Sequence, residues 1–341
     1  MTPLPETTPA QTAKRNCAVI GVMLVIFLFA VDATIVSTAM PTIVANLGGL
    51  ELYSWVFSIY MLTSALTTPL FGKLSDLYSQ RRLMLVGIAI FVFGSTLCGL
   101  AQSMEALVLF RAIQGLGGGA IYALSFIVVG ILYPPTERAK MQGIISGIWG
   151  MASILGPLAG GIIVEHWSWH WAFFVNLPIT AVAVALIVVG LKETGEERHA
   201  HKLDWAGTVT LMAALMALFY ALSRASHSQQ ALDLELAGMV VVGCALLAVF
   251  YFIERRADEP IVPLDLFQLK LFRTSAVVAT LASMGVFGAI TYLPLYLQGV
   301  TGLTASRAGM VLLFVSVAWT AGSLIAGQAL NQFGYRAVAI A

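Results

Sequence analysis

The chain has 341 residues, of which 59% are hydrophobic and 10% charged, with a net charge of +1. Soluble domains carry about 25% charged residues, so this composition excludes a water-soluble globular protein. The near-zero net charge carries no weight by itself, because in a membrane the placement of charges matters more than their sum.

The first residues, MTPLPETTPAQTAKRN, are Pro/Thr-rich and polar and read as a cytoplasmic tail over 1–16. The apolar run that follows Lys14-Arg15 is longer than the apolar region of a signal peptide and lacks a small-residue cleavage site. It reads as a retained first helix. Apolar runs separated by short polar or Gly/Pro breaks predict ten helices: 17–45, 53–72, 83–101, 105–132, 141–164, 173–191, 204–223, 234–253, 273–298 and 305–330. A span needs about 20 apolar residues, and only helices or closed barrels satisfy the backbone in lipid. Alternating ten-residue patterns are absent, so the fold class is an all-α integral membrane bundle.

The first helix holds one charged side chain, Asp32; its nearest charged neighbours in sequence are Arg15 and Glu51. Thr34, Ser37 and Thr38 give it small polar company. Between helices two and three the chain reads GKLSDLYSQRR, Gly72 to Arg82, with a weaker echo, GQALNQFGYR, at Gly327 to Arg336. Repeats of this kind mark transporters built from related halves. The glycine is expected to end the span and let helices approach. Asp76 and Arg81 are expected to sit together at the inner surface; the plain alternative is an ordinary positive loop.

Helix four contains RAIQGLGGGA. An arginine two turns into a span costs on the order of 3 kcal/mol, so Arg111 should face the bundle interior and find a partner, unless it snorkels outward. Gly115 and Gly119 have the spacing for close helix packing. Helix five contains GMASILGPLAGG, where Pro157 removes a backbone donor and kinks the helix. Its companions Gly156, Gly160 and Gly161 make a thin packing face. After it, WSWHWAFFVNLPI offers three tryptophans for an interfacial belt, and Asn176 and Pro178 for a helix-entry turn. His166 and His170 are four residues apart, but with no third ligand nearby no metal site and no cofactor are expected. Cys17, Cys98 and Cys244 lack paired or metal-ligand spacing and read as buried thiols.

Fifteen of the 18 Lys and Arg residues fall in segments that are cytoplasmic if the N-terminus is inside, and Glu51, Glu105, Glu165, Asp233 and Glu235 fall outside. This asymmetry orients the chain with its N-terminus in the cytoplasm. Two longer inner loops, Lys192 to Asp204 and Glu254 to Arg273, divide six helices from two, and two from the rest.

Five motifs in this order resemble the Major Facilitator Superfamily, and in particular its fourteen-span drug–proton antiporter branch. VDATIVSTAMPTI (Val31 to Ile43) is similar to that branch's first-helix signature, and GKLSDLYSQRR to the superfamily's loop 2–3 motif. RAIQGLGGG is similar to the helix-four motif, Gly150 to Gly161 to the antiporter motif, and WHWAFFVNLPI to the branch's Trp-rich segment. Leu77, Ser79, His170 and Asn331 depart from the family pattern. Leu77 and Ser79 put the loop's tight turn and part of its charge network in question.

The resemblance implies a six-helix N-terminal bundle over 17–191. It implies a linker with two inserted helices over 192–253, and the start of a C-terminal bundle over 254–341. Fourteen helices are usual in the branch, so the ten here read as a fragment, with a naturally short product as the alternative. The implied function is proton-coupled export of drugs or other amphipathic or cationic molecules across the cytoplasmic membrane by alternating access. Its partners would be a small-molecule substrate, protons and the lipid bilayer, with a periplasmic adaptor in double-membraned cells and no nucleic acid.

In this reading Asp32 carries the proton and Arg111 tunes it, while a cationic substrate competes for the same acid. Gly72, Asp76, Arg81, Gly156, Pro157, Gly160 and Gly161 serve gating. Tyr60, Met61, Gln114, Tyr122, Phe126 and Trp149 are the candidate cavity residues, each with core or lipid-facing packing as the alternative. A nutrient or metabolite transporter of the same superfamily and a non-transporting fragment are the alternatives. A membrane enzyme is disfavoured, because the spans hold neither HExxH nor a nucleophile with its base.

Overall fold

In a computed structural model, residues 9–191, 204–227, 234–257, 260, 262, 264–315, 317–318 and 321–322 are described. The described chain is helical, with no strand among these residues. The helices are α1 (Pro9–Leu47), α2 (Tyr53–Leu77), α3 (Gln80–Gly99), α4 (Met104–Leu132), α5 (Pro135–His166) and α6 (Trp171–Phe174), followed by α7 (Asn176–Gly190), α8 (Trp205–His227), α9 (Leu234–Glu254) and α10 (Lys270–Gly299). A further apolar helix, α11, covers Ala305–Val315. The rest of the tenth expected span, the echo at Gly327 to Arg336, residues 1–8 and most of the inner loop from Lys192 lie outside the described residues.

Helix boundaries follow local chemistry. α1 is described from Pro9, before the expected start at residue 17, and Ala10, Gln11, Ala13 and Lys14 are good helix formers. It stops at Gly48 and Gly49, both left-handed with φ of 73° and 68°, where glycine carries no Cβ penalty. Ser103 caps α4, accepting from the Ala106 N–H at 3.2 Å. The sixth expected helix is two pieces: the short α6 ends at Val175, and α7 restarts at Asn176 with Pro178 in its first turn.

Eight described helices are long and apolar enough to span a membrane; α2 is not among them. It carries Ser54, Ser58, Thr63, Ser64, Thr67 and Thr68, which lower its hydropathy. Four of these hydroxyls are satisfied inside the helix or against α4. Thr63 donates to Ile59 O at 2.8 Å, Thr67 to Thr63 O at 2.8 Å, Thr68 to Ser64 O at 2.7 Å and Ser64 to Gly115 O at 3.0 Å. α2 is a helix of the bundle, and most of its hydroxyls are used up in packing.

α4 lies against α2 and α3, and α1 lies against α5 and α7. Glycines make the first arrangement possible. A Cβ on Gly115 would lie 2.5 Å from Tyr60 O, and one on Gly117 2.6 Å from Gly87 O; Gly119 faces Thr67 and Ser64 O. The Gly115/Gly119 spacing is therefore a packing face for α2, and Gly117 turns to α3. α8 and α9 pair with each other and touch the six-helix unit through α2. α10 reaches the unit through α1 and through the start of α2.

The expected aromatic belt is only part of the story. Trp167 and Trp171 are exposed and meet edge to face, but Trp169 is buried and stacks on His170. The turn between α5 and α6 points alternate residues in opposite directions, so the middle tryptophan joins the core. Cys98 is buried as expected, whereas Cys244 is exposed on α9, the helix that packs on α8.

Candidate functional site

Asp32 and Arg111 meet in the interior of the six-helix unit, both at 0% exposure. Arg111 Nη1 donates to Asp32 Oδ2 at 2.5 Å and to Gln114 Oε1 at 2.8 Å. Residues three apart on a helix share a face, so α4 presents Arg111 and Gln114 together. The other carboxylate oxygen, Oδ1, accepts from Gln114 Nε2 at 2.7 Å and from Asn176 Nδ2 at 3.3 Å. Arg111 Nε donates to Val56 O at 3.2 Å, and its guanidinium lies 4.0 Å over the Tyr60 ring. Two buried ions cost several kcal/mol each in desolvation, repaid only when the remaining lone pairs and protons find partners. Here both carboxylate oxygens are bonded, and the cation has a carboxylate, an amide, a carbonyl and a π face.

The network extends to the start of α7. Asn176 Nδ2 also donates to Ser95 Oγ at 3.0 Å, and Ser95 donates to Phe173 O at 2.9 Å. Cys98 Sγ sits 3.6 Å from Gln114 Oε1. Three polar atoms of the cluster are buried without a hydrogen-bond partner among the described residues: Arg111 Nη2, Tyr60 Oη and Asn176 Oδ1.

Asp32 faces away from the main cavity. That cavity holds about 1100 Å³ and lies between α1, α2 and α5 on one side and α10 on the other. From α1 it is lined by Ala30, Ala33 and Thr34, from α2 by Phe57, Ser58 and Met61, and from α5 by Trp149 and Ser153. α10 adds Ser283, Met284, Phe287 and Thr291, and no described lining residue is charged. The sequence-level expectation that a cationic substrate meets Asp32 directly does not match this geometry, because the acid occupies the opposite side of α1. A smaller cavity of about 700 Å³ lies between the first halves of α1 and α5, lined by Arg15, Phe27, Tyr133 and Glu137 among others.

The six cavity residues named from sequence divide. Met61 and Trp149 line the cavity. Tyr60 and Gln114 are fully buried in the charge cluster instead. Tyr122 packs on Phe29 and on Phe126, at 5.8 and 5.0 Å between ring centroids, and neither Tyr122 nor Phe126 lines the cavity. Sequence did not reveal Asn176 and Ser95 as members of the site. Their signal was a neutral amide and a hydroxyl inside apolar helices, where polar groups are expensive enough to need a use.

The gating residues also separate. Gly156 and Gly160 pack on α1 against Thr34, Thr38 and Ile35, while Gly161 faces Ala305 and Ser306 at the start of α11. Gly309 of α11 lies against Pro157 O. Gly72 neither ends a helix nor admits one, since α2 continues to Leu77 and a Cβ on Gly72 would meet open space. Asp76 is exposed and Arg81 half-buried at the start of α3. The substitution of Ser79 for glycine causes no strain: Tyr78 and Ser79 turn with φ of −119° and −58°. Ser75 donates to Gly72 O at 2.6 Å, and Gln80 reaches back to Ser75 O at 3.2 Å.

Contacts between the six-helix unit and the last described helices gather at the opposite end, where α2 begins. Tyr53 donates to Thr291 O at 2.6 Å, Ser54 Oγ lies 2.7 Å from Tyr292 Oη, and Gln298 donates to Thr38 O at 3.2 Å. Glu165 Oε2 accepts from the Ser306 N–H at 3.3 Å. His166 Nδ1 lies 3.2 Å from Ile162 O, and His170 Nδ1 lies 2.5 Å from Ser168 Oγ. Partial burial lowers the basicity of His170.

The described residues thus form a multi-pass helical bundle with an internal charge pair on one side of α1 and, on the other, a large cavity with no charged residue among its described lining. Residues 22–341 match the family model of the Major Facilitator Superfamily, and the chain belongs to that family. It is 38% identical over 331 residues to Multidrug resistance protein 3 of Bacillus subtilis (strain 168), covering 97% of this chain and 64% of that protein. It is 33% identical over 340 residues to the efflux pump LUC4 of a Fusarium species, covering 97% of this chain and 60% of that pump. The chain thus spans about 60–64% of the length of these relatives.

Among solved structures, it resembles a bacterial homologue of the human lysosomal transporter Spinster, in an inward-facing and unoccupied conformation. The TM-score is 0.59 and the identity 16%, with 96% of this chain and 64% of that one covered. A D-xylose–proton symporter gives a TM-score of 0.58 at 15% identity, covering 93% and 69%. At such identities the likeness shows the fold alone.

Proposed function

We propose that this chain supplies the first ten helices of a fourteen-span exporter that expels amphipathic or cationic small molecules from the cytoplasm in exchange for protons. The observation that carries this reading is the sealed Asp32–Arg111 pair behind an uncharged cavity of about 1100 Å³. The names of the relatives, multidrug resistance and efflux pump, support export over uptake. The orientation follows the basic residues: Lys14, Arg15, Arg81, Arg82 and Arg138 gather at one end of the bundle, which the positive-inside rule assigns to the cytoplasm. The contacts of Tyr53, Gln298 and Glu165 then close the outer end.

In this proposal Asp32 is the coupling acid and Arg111 its fixed counter-charge. Protonating Asp32 removes half of a buried ion pair, and an unpaired buried cation is costly. The six-helix unit answers by shifting how its helices pack. The substrate sits across α1 from the acid, so proton and substrate communicate through that helix instead of competing for one carboxylate. Thr34 lines the cavity and donates to Ala152 O of α5 at 3.2 Å, which ties α1 to α5 beside the cavity. The glycines at 156, 160 and 161 allow α5 to slide between α1 and α11. Asp76 and Arg81 serve as an inner latch when the bundle closes at that end. A periplasmic adaptor would join the exporter in a double-membraned cell.

The test is proton release on adding drug to inverted vesicles that contain the full-length protein. Wild type should release protons, and Asp32→Asn should not. Gradient-driven export that survives in Asp32→Asn would sink the assignment.

A further inference from the structure

The cluster around Asp32 is directional, and the direction comes from Ser95 and Asn176. Ser95 Oγ has one proton, and it is given to Phe173 O at 2.9 Å. Its oxygen can then only accept from its other neighbour. That neighbour is Asn176 at 3.0 Å, so the amide must present its NH₂ side to Ser95. The same NH₂ has a second proton, and this one points to Asp32 Oδ1 at 3.3 Å. The amide oxygen, Asn176 Oδ1, is left buried without a hydrogen-bond partner among the described residues. Turning the amide over would not satisfy that oxygen: it would set an acceptor against both Ser95 Oγ, whose proton is taken, and an ionised Asp32. Gln114 is oriented in the same sense. Its Oε1 takes the Arg111 Nη1 proton, which leaves its Nε2 for Asp32 Oδ1.

Resting on the proposed role of Asp32, we infer that Ser95 and Asn176 are positioning residues that set the pH range over which the exporter loads its proton. The chain runs Phe173 carbonyl, Ser95 hydroxyl, Asn176 amide, Asp32 carboxylate. It offers the acid a donor and no acceptor, and donors favour the ionised form of a carboxylate. Arg111 from α4, Tyr60 from α2 and Cys98 from α3 also act on Asp32 electrostatically. α7 contributes no titratable group near it, only Asn176 and, one turn on, Thr180. The amide is therefore the handle that α7 has on the acid. A packing role alone would not require its polarity, since leucine has the same number and branching of side-chain heavy atoms as asparagine.

Two measurements on full-length protein test this. In the first, infrared difference spectra isolate the Asp32 carboxylate band as the signal lost in Asp32→Asn. Asn176→Leu should displace that band, because one donor to the carboxylate is gone. Ser95→Ala, which frees the amide to turn, should displace it less. The second is the pH profile of drug efflux in vesicles. Asn176→Leu should move it to higher pH by about one unit, the effect of losing one hydrogen bond to a charged group, with Ser95→Ala following by a smaller step.

A carboxylate band left in place in both variants would overturn the inference, as would efflux that falls equally at every pH. If Asn176→Leu fails to fold, Ser95→Ala decides the question alone. The infrared band reports on Asp32 whether or not export is proton-driven. A failure of the proposed function, seen as gradient-driven export in Asp32→Asn, is therefore told apart from a failure of this one.

Discussion

The two sides of α1 solve opposite problems. On one, Asp32 is fully buried with every carboxylate oxygen bonded. On the other, two residues before and two residues after it, Ala30 and Thr34 border a cavity with no charged lining among the described residues. A charge taken out of water must be paired at close range, so it belongs inside a tightly packed unit. An open cavity holds no such charge, and it lies where α1, α2 and α5 face α10, lined by apolar and hydroxyl side chains. One helix, α1, separates the charge pair from the cavity.

The sharpest way to break this contrast is to unbalance the charged side. Arg111→Met should cost about 3–5 kcal/mol, because it leaves a buried carboxylate unpaired. Thermal unfolding of the purified full-length protein measures it, and the double variant with Asp32→Asn should recover most of the loss. Recovery that does not occur would mean the arginine acts chiefly by packing.

Next comes the close approach that builds the charged side. A Cβ on Gly94 would lie 2.5 Å from Gln114 Cα. Gly94→Ala should therefore push α3 from α4 and cost about 1–3 kcal/mol, as overpacking does. Gly130 on the same α4 has open space around it, and Gly130→Ala should be neutral or stabilising by up to about 1 kcal/mol from helix propensity. Equal losses in the two variants would show that glycine flexibility, not close contact, is what the bundle needs.

The smallest effects belong to the cavity side. With Cys17 and Cys244 replaced by alanine, cysteines placed at Met61 and Ser283 should be alkylated several-fold more slowly when a transported drug is present. A cysteine at Tyr122, off the cavity, should react at an unchanged rate. Protection at Tyr122 equal to that at Met61 would move the binding site away from the lining described above.

Much of the charged side was legible in the sequence. Two ionisable residues far inside apolar helices have few ways to be stable, and pairing with each other is the cheapest. The Gly115/Gly119 spacing likewise announced a packing face. The helical phase of neutral residues was less legible. Tyr60 and Gln114 look like cavity residues on composition, but Gln114 shares a face with Arg111 and Tyr60 lies beneath its guanidinium. Asn176 read as a helix-entry residue, and it does open α7. That it also reaches Asp32, 144 positions away in sequence, depends on how α7 lies along α1. Gly72 misled because glycine serves equally as a close contact and as a helix residue with nothing nearby.

Composition and charge placement by themselves determined that this chain lives in a membrane, how many times its apolar segments recur, and that Asp32 and Arg111 needed partners. Those conclusions follow from solvation, which each residue carries with it wherever it goes. Which neutral groups complete the charge pair, and which face of α1 meets the cavity, were decided only by tertiary structure. The rotation of one helix against another is set by the sum of contacts along both, such as glycines against carbonyls and hydroxyls against backbone oxygens. No single segment encodes that sum.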